Sequence, residues 1–256
     1  VSIHPTAIIE SGADLAADVV VGAYAYIGPK VRLGAGTVVH HHATVEGNTH
    51  LGLGNEVFPY AFVGGRTQDK KWQGDDGPIR IGEGNIFREF CTVHPATFLD
   101  AETRIGSRNL FCSYSHIGHE CHVGDDCVFS NNATLGGHCL VGSRVVIGGL
   151  TAVHQFCQVG DGAMIGGCAR VVQDVLPYMI AEGHPAAHRS INKVGMERHG
   201  FDAERIQQVR RIYKLLFRSN LNHSQALAQL KEGVCGSGEV VDQVVRFIEA
   251  SQRGFS

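Results

Sequence analysis

IGHECHVGDDCVFSNNATLGGHCLVG, residues 117–142, carries a large apolar side chain at every sixth position: Ile117, Val123, Phe129, Leu135 and Val141. Glycine follows four of them, at Gly118, Gly124, Gly136 and Gly142. A helix repeats its buried face about every 3.6 residues and a flat strand about every two, so neither explains this period. The same phase runs outward from the segment to Ile3 and to Val171; of its 29 positions 27 are apolar, the exceptions being Asp69 and Asp75. The next residue is glycine in fourteen cases, which goes far to explain a total of 33 glycines. Glycine there is expected where a turn must take a positive φ without a Cβ penalty.

Two residues before each large apolar side chain sits a mostly small one, such as Ala25, Ala43, Ser115, Ala133 or Ala163. Five of the eight cysteines, Cys91, Cys121, Cys127, Cys139 and Cys157, keep this register. Free cysteine behaves as a small hydrophobe, so these five are expected to fill the interior. A hexapeptide repeat with glycine after the aliphatic residue predicts a parallel β-helix. The pattern resembles the left-handed β-helix acyltransferases, in which three hexads form one triangular coil. On that geometry residues n and n+18 stack at about 4.8 Å. The polar, glycine-rich stretch 64–78, where the phase is skipped, is expected to project as a loop, the kind of element that carries function. The expected organisation is therefore a mainly β domain over 1–176 and a small helical domain over 177–256. Helical spacing of Ile206, Val209, Ile212 and Leu216, and of Val241, Val244, Val245 and Ile248, supports the second.

Lys and Arg number 22 against 25 Asp and Glu, so there is no global basic field for nucleic acid or an anionic membrane. No stretch approaches the roughly 18 apolar residues of a membrane span, and the first residues lack the pattern of a secretory signal. A cytoplasmic protein without stable membrane insertion is the expectation, in which eight cysteines do not imply a disulfide framework.

Coil arithmetic sorts the 15 histidines. Modulo 18, His116, His119, His138 and His154 fall at neighbouring positions on one edge over three consecutive coils; His50 and His122 share a position, as do His4, His40 and His94. Three histidines with an open position could hold a catalytic zinc. Neither an H-x₃₋₅-H nor a C-x₂-C pair occurs in the cluster, however, and a metal reading would have to borrow geometry from a subunit interface. General-base chemistry by a neutral imidazole is the alternative.

SHIGHEC, NNATLGGH, GGLTAVHQFCQVG, IGGCARVVQDV, TQDKKWQG and RHGF together resemble the UDP-N-acetylglucosamine O-acyltransferase family that begins lipid A synthesis, from the N-terminus to about residue 218. The resemblance implies that His119 is the general base. It would take the proton of the glucosamine 3-hydroxyl as that oxygen attacks the thioester of a (3R)-hydroxyacyl chain on acyl carrier protein, with the Gly137 N–H stabilising the oxyanion. It further implies sugar contacts from Gln68, Asp69, Lys71 and His116, a site lined by His138, His154 and Gln155, and a nucleotide held by Asn192, Arg198 and His199. Gly167 would leave the acyl groove open to a long chain. Arg210, Arg211, Lys214 and Arg218, in a locally basic segment, would dock the acidic carrier protein. A homotrimer is implied, with no cofactor and no resident metal. The chain departs from the family pattern at Glu120 for Asp, at Val194 for an acidic residue, at His199 for Arg and at HPAT (94–97) for HRGT. A UDP-amino sugar, acylated on nitrogen, thus stays open as acceptor, although N-acyltransferases of the pathway carry a further N-terminal domain and here the hexads begin at Ile3. A zinc hydratase on the same fold and a purely structural β-helix are the other readings.

Overall fold

The structure is a computed structural model and describes residues 2–74 and 77–256; Asp75 and Asp76 of the expected loop lie outside the described residues. Strands of two or three residues, at most one per hexad, stack in parallel to form the three walls of a left-handed triangular prism of about ten coils; the sheets have 11, 9 and 8 strands, the first of them counting two longer strands beyond residue 176, the last antiparallel. Strand partners stand three hexads apart through most of the chain, as in Ser2↔Val20 and Thr134↔Ala152. The large apolar side chains point inward, and Phe87, Phe111 and Phe129 stack along the axis at 5.1 and 5.0 Å. The five in-register cysteines are fully buried. Burial pushes the thiols of Cys91, Cys127 and Cys157 up to about 12, so they stay protonated and serve as filler.

Apart from Gly64, at φ 93°, the glycines after the aliphatic residues have a different cause from the one expected. Gly22, Gly118 and Gly136 do not take positive φ. A Cβ on Gly22 would meet the His41 nitrogen at 2.6 Å, and one on Gly118 the backbone of the next coil at 2.9 Å. Close approach between coils excludes a side chain there. The left-handed residue lies two places later and is often bulky: Tyr24, Glu120, Asp126 and His138 all have φ between 53° and 60°.

Two excursions break the stacking. Phe62 pairs with Thr92, five hexads on instead of three, because residues 64–74 and 77–78 lie outside the wall. Thr92 then pairs with His116, four hexads on, because 94–102 also leaves it. The second is not expected from the periodicity: it adds a single hexad, and Leu99, counted as a wall residue, is 66 % exposed. His94 is displaced accordingly. It does not stack with His4 and His40; it lies against His116, ring centroids 4.8 Å apart. Stacking arithmetic by threes of hexads fails only between the excursions, since together they add one coil.

A buried asparagine ladder ties these irregular coils together. The Asn55 Oδ1 accepts from the Asn85 backbone N–H and Nδ2 at 3.0 and 2.9 Å, and the Asn85 Oδ1 accepts likewise from Asn109. Asn85 Nδ2 also donates to the Gly106 carbonyl at 2.9 Å. One outer edge of the prism carries a column of exposed rings, Tyr24, His42, Tyr60, Phe90 and Tyr114, with successive centroids 4.7–5.3 Å apart.

Strand stacking continues beyond 176. Met179–Gly183 pairs parallel with the last regular wall strand of its sheet, through a coil shorter than three hexads, and Ala186–Ile191 returns antiparallel to it. Pro177 closes the shorter coil and ends the hexad signal before the pairing ends. Four helices follow: α1 (Lys193–Arg198), α2 (Ala203–Phe217), α3 (His223–Lys231) and α4 (Glu239–Ala250). Ile206, Val209, Ile212 and Leu216 make the buried face of α2 and pack with Val241 and Val244 of α4. No described helix is long and apolar enough to cross a membrane.

Candidate active site

Both excursions leave the prism between the same two walls, above the turns that carry His119 and Glu120, then Gly137 and His138, then Gln155 and Phe156 in successive coils. This edge therefore gathers polar side chains under two loops. His119 is half-buried, and its Nδ1 makes a short hydrogen bond to Glu120 Oε2. Glu120 is 8 % exposed; its Oε1 accepts from the Thr97 backbone N–H at 2.6 Å, and its own N–H donates to Thr103 Oγ1 at 2.9 Å. Burial alone would raise the Glu120 carboxyl, but the bonds from His119 and Thr97 hold it below the usual range. The hydrogen bond to Glu120, opposed by burial, raises the His119 imidazole above its ordinary value.

The next coil packs directly beneath. A Cβ on Gly137 would lie 2.4 Å from Cε1 and Nε2 of His119, so only glycine fits against the ring. The Gly137 N–H donates no hydrogen bond among the described residues. His138 stands edge-on to His119 at 5.0 Å and is stacked on Phe156 at 4.6 Å. Burial lowers His138, so the two imidazoles are pushed apart in basicity. Donor atoms of His119, Glu120 and His138 lie within 4.8 Å of one another, close enough to share a cation. The carboxylate, however, is already engaged by an imidazole and a backbone N–H, an arrangement suited to handling a proton.

His116 Nδ1 lies 2.7 Å from Thr92 Oγ1, and burial lowers its imidazole. From the loop, Asp69 reaches Thr97 Oγ1 at 3.2 Å and is held low chiefly by the Lys71 backbone N–H. Gln68 and Lys71 are exposed beside it, and His154 and Gln155 are exposed on the coil below. The structure thus brings together nine of the expected residues. Others lie elsewhere in the chain. Asn192 is buried, caps α1 through the Gly195 N–H and donates to the Gly162 carbonyl at 2.8 Å. Arg198 and His199 are exposed at the end of α1, His199 near Asp126 on another edge. Gly167 stands exposed on the aromatic edge, next to Gly149, Leu150 and Cys168. Arg211 and Lys214 share a face of α2, with Arg210 beside them and Arg218 as the C-cap of the helix. Sequence reasoning missed Thr97, Thr103 and His94; the HPAT segment departs from HRGT at Pro95 and Ala96, while His94 and Thr97 agree with it and were given no task.

His94 in the site and His188 in the helical domain are buried, and burial pushes each down to about 4. The unfolded chain protonates such groups near about 6.5. Unfolding therefore takes up protons between those values, and stability falls on acidification by up to about 1.4 kcal/mol per pH unit for each group. His119 contributes with the opposite sign, its stabilisation being lost as pH rises through its raised folded value. Urea unfolding at pH 7, 5.5 and 4.5 should show a falling midpoint; a flat profile would contradict the burial of these rings.

Comparison with known proteins gives matches over the whole chain. Residues 174–256 match the family model described as UDP-N-acetylglucosamine O-acyltransferase, domain 2, and residues 102–137 match the bacterial transferase hexapeptide model. The acyl-(acyl-carrier-protein)–UDP-N-acetylglucosamine O-acyltransferase of Akkermansia muciniphila is 48 % identical over 99 % of this chain and 98 % of its own. Among solved structures, LpxA from Acinetobacter baumannii is 42 % identical with a TM-score of 0.95, covering 99 % of this chain and 98 % of that one. UDP-N-acetylglucosamine O-acyltransferase (LpxA) from Moraxella catarrhalis is 38 % identical with a TM-score of 0.94, at the same coverage.

Proposed function

The chain belongs to the UDP-N-acetylglucosamine O-acyltransferase family, and on that premise we propose that it moves a (3R)-hydroxyacyl chain from acyl carrier protein to the 3-hydroxyl of UDP-N-acetylglucosamine, the first step of lipid A synthesis. The observation that carries the mechanism is the His119–Glu120 pair with Gly137 against the imidazole. With the Nδ1 proton held by Glu120, Nε2 is free to accept the proton of the sugar hydroxyl. The sugar oxygen attacks the thioester carbonyl, and the Gly137 N–H donates to the oxyanion that forms. Collapse expels the carrier thiolate, which takes the proton back from the imidazolium. No acyl-enzyme and no cofactor enter this scheme.

Asp69, Lys71, Gln68 and His116 bind the sugar in this reading, and His138, His154 and Gln155 line the acceptor site. Asn192, Arg198 and His199 hold the nucleotide. Their separation from His119 within one chain, and the exposed aromatic edge, support a homotrimer in which neighbouring copies complete each site. Arg210, Arg211, Lys214 and Arg218 dock the carrier protein, in the cytoplasm. The relatives that match at full length bear the O-acyltransferase name, which favours a hydroxyl over an amine as acceptor. A panel of UDP-sugars with acyl carrier protein thioesters tests the reading. Turnover of UDP-N-acetylglucosamine is expected; turnover of a 3-amino sugar alone would replace it.

Gly167 sets the donor length. A Cβ there would lie 3.3 Å from the Gly149 carbonyl oxygen and its φ is not positive, so a side chain needs only a shift of a few tenths of an ångström to project into the strip left bare by the two glycines. Each buried methylene is worth about 0.8 kcal/mol, so an open strip favours long donors. Gly167→Met should shift preference toward donors several carbons shorter with the fold unchanged. An unaltered chain-length profile would move the end of the groove elsewhere.

A further inference from the structure

Thr97 sits at the centre of the second excursion and is 2 % exposed, yet it touches both the projecting loop and the catalytic pair. Its backbone N–H is bonded to Glu120 Oε1 at 2.6 Å. Its hydroxyl oxygen lies 3.2 Å from Asp69 Oδ2, 3.4 Å from His119 Nδ1 and 3.5 Å from Glu120 Oε2. A hydroxyl has one proton to give, and the nearest acceptor is Asp69. The His119 Nδ1 proton already goes to Glu120, which leaves the Thr97 oxygen facing the imidazole as a neutral spacer. Asp69 is thereby fixed over the pair by a side chain anchored, through its own backbone, to the carboxylate of that pair. A separate backbone bond, from the Gly77 N–H to the Ala96 carbonyl at 2.9 Å, ties the far end of the loop to the same excursion.

We propose that Thr97 is a positioning residue that couples the projecting loop to the general base, its hydroxyl setting the Asp69 carboxylate and the His119–Glu120 pair as one unit. The kinetic part of this inference rests on the reading of Asp69 as a sugar ligand. The coupling itself does not, because the loop carries the chain's single tryptophan, Trp72, with the Arg66 guanidinium 4.4 Å from its ring. Thr97→Val keeps the backbone bond to Glu120 and removes only the hydroxyl; Thr97→Ser restores it.

Four variants test it: Thr97→Val, Thr97→Ser, Asp69→Asn and the double variant Thr97→Val/Asp69→Asn. In Thr97→Val the KM for UDP-N-acetylglucosamine should rise about tenfold with a smaller loss in kcat, and Thr97→Ser should restore it. The double variant should be no worse than Asp69→Asn, because two groups acting through one bond are not additive. Acrylamide quenching of Trp72 should increase in Thr97→Val and in Asp69→Asn and stay at the wild-type level in Thr97→Ser. Unchanged quenching and KM in a folded Thr97→Val protein, or additive losses in the double variant, would overturn the coupling. Should the wild-type protein fail to turn over UDP-N-acetylglucosamine, the function above falls, while the quenching series still decides whether the hydroxyl holds the loop.

Discussion

His119→Ala should lower kcat by about 10²–10⁴ while leaving the coil intact, because the lost group moves a proton only in the transition state. The imidazole hangs from an outer edge, so its removal creates no cavity in the packed axis. Glu120→Gln is the informative companion. It keeps shape and removes the charge that raises the His119 imidazole, so the acid limb of the kcat/KM profile should move to lower pH. That direction follows from the sign of the shift, since a base must be neutral to work and a lowered value keeps it neutral further into acid. Full turnover in His119→Ala at pH 7 would remove it from the mechanism, and an unmoved acid limb in Glu120→Gln would mean that the limb reports another group.

Asn85→Ala should cost on the order of 4 kcal/mol in unfolding free energy, with His119 and its surroundings untouched. The reason is the number of partners stranded by one truncation. The Asn109 backbone N–H and Nδ2, the Asn55 Oδ1 and the Gly106 carbonyl all lose a bond inside the prism. A buried donor or acceptor left without a partner costs about 1–3 kcal/mol, less whatever water recovers. Urea unfolding followed by circular dichroism measures the difference. A loss below about 1 kcal/mol would show that the ladder is incidental to stability.

Most of the prism is legible in the sequence, because the period of six is set by a physical repeat in which each hexad must place one large and one small side chain inside. Cys121 and Cys139 are legible as filler for that reason alone. What the period cannot show is an excursion that preserves it. Leu99 keeps the phase, so 94–102 reads as wall, and Thr97 and His94 go unassigned with it. The histidine edge is legible because both excursions together add one whole coil, leaving the arithmetic valid at His116 and beyond. The glycine positions are legible and their cause is not, since crowding by the next coil depends on partners three hexads away in the chain. Asn192 marks a different gap: its residue type fits a ligand contact equally well as the helix cap it makes within this chain.

The one-hexad excursion gives the chain a second possible reading frame. With Leu99 drawn into the wall, every later hexad would move on by one face and still place aliphatic side chains inside and glycines at the crowded positions. The hydrophobic pattern is nearly blind to that frameshift. The amides are not, because in the shifted frame Thr103 would lie beneath Asn85 and Asn109 would face another wall with its amide unmatched. The ladder runs through the coils on either side of both excursions, where whole hexads leave the wall and the frame can slip. Its carboxamides thus act as a checksum for a sequence too repetitive to count its own turns.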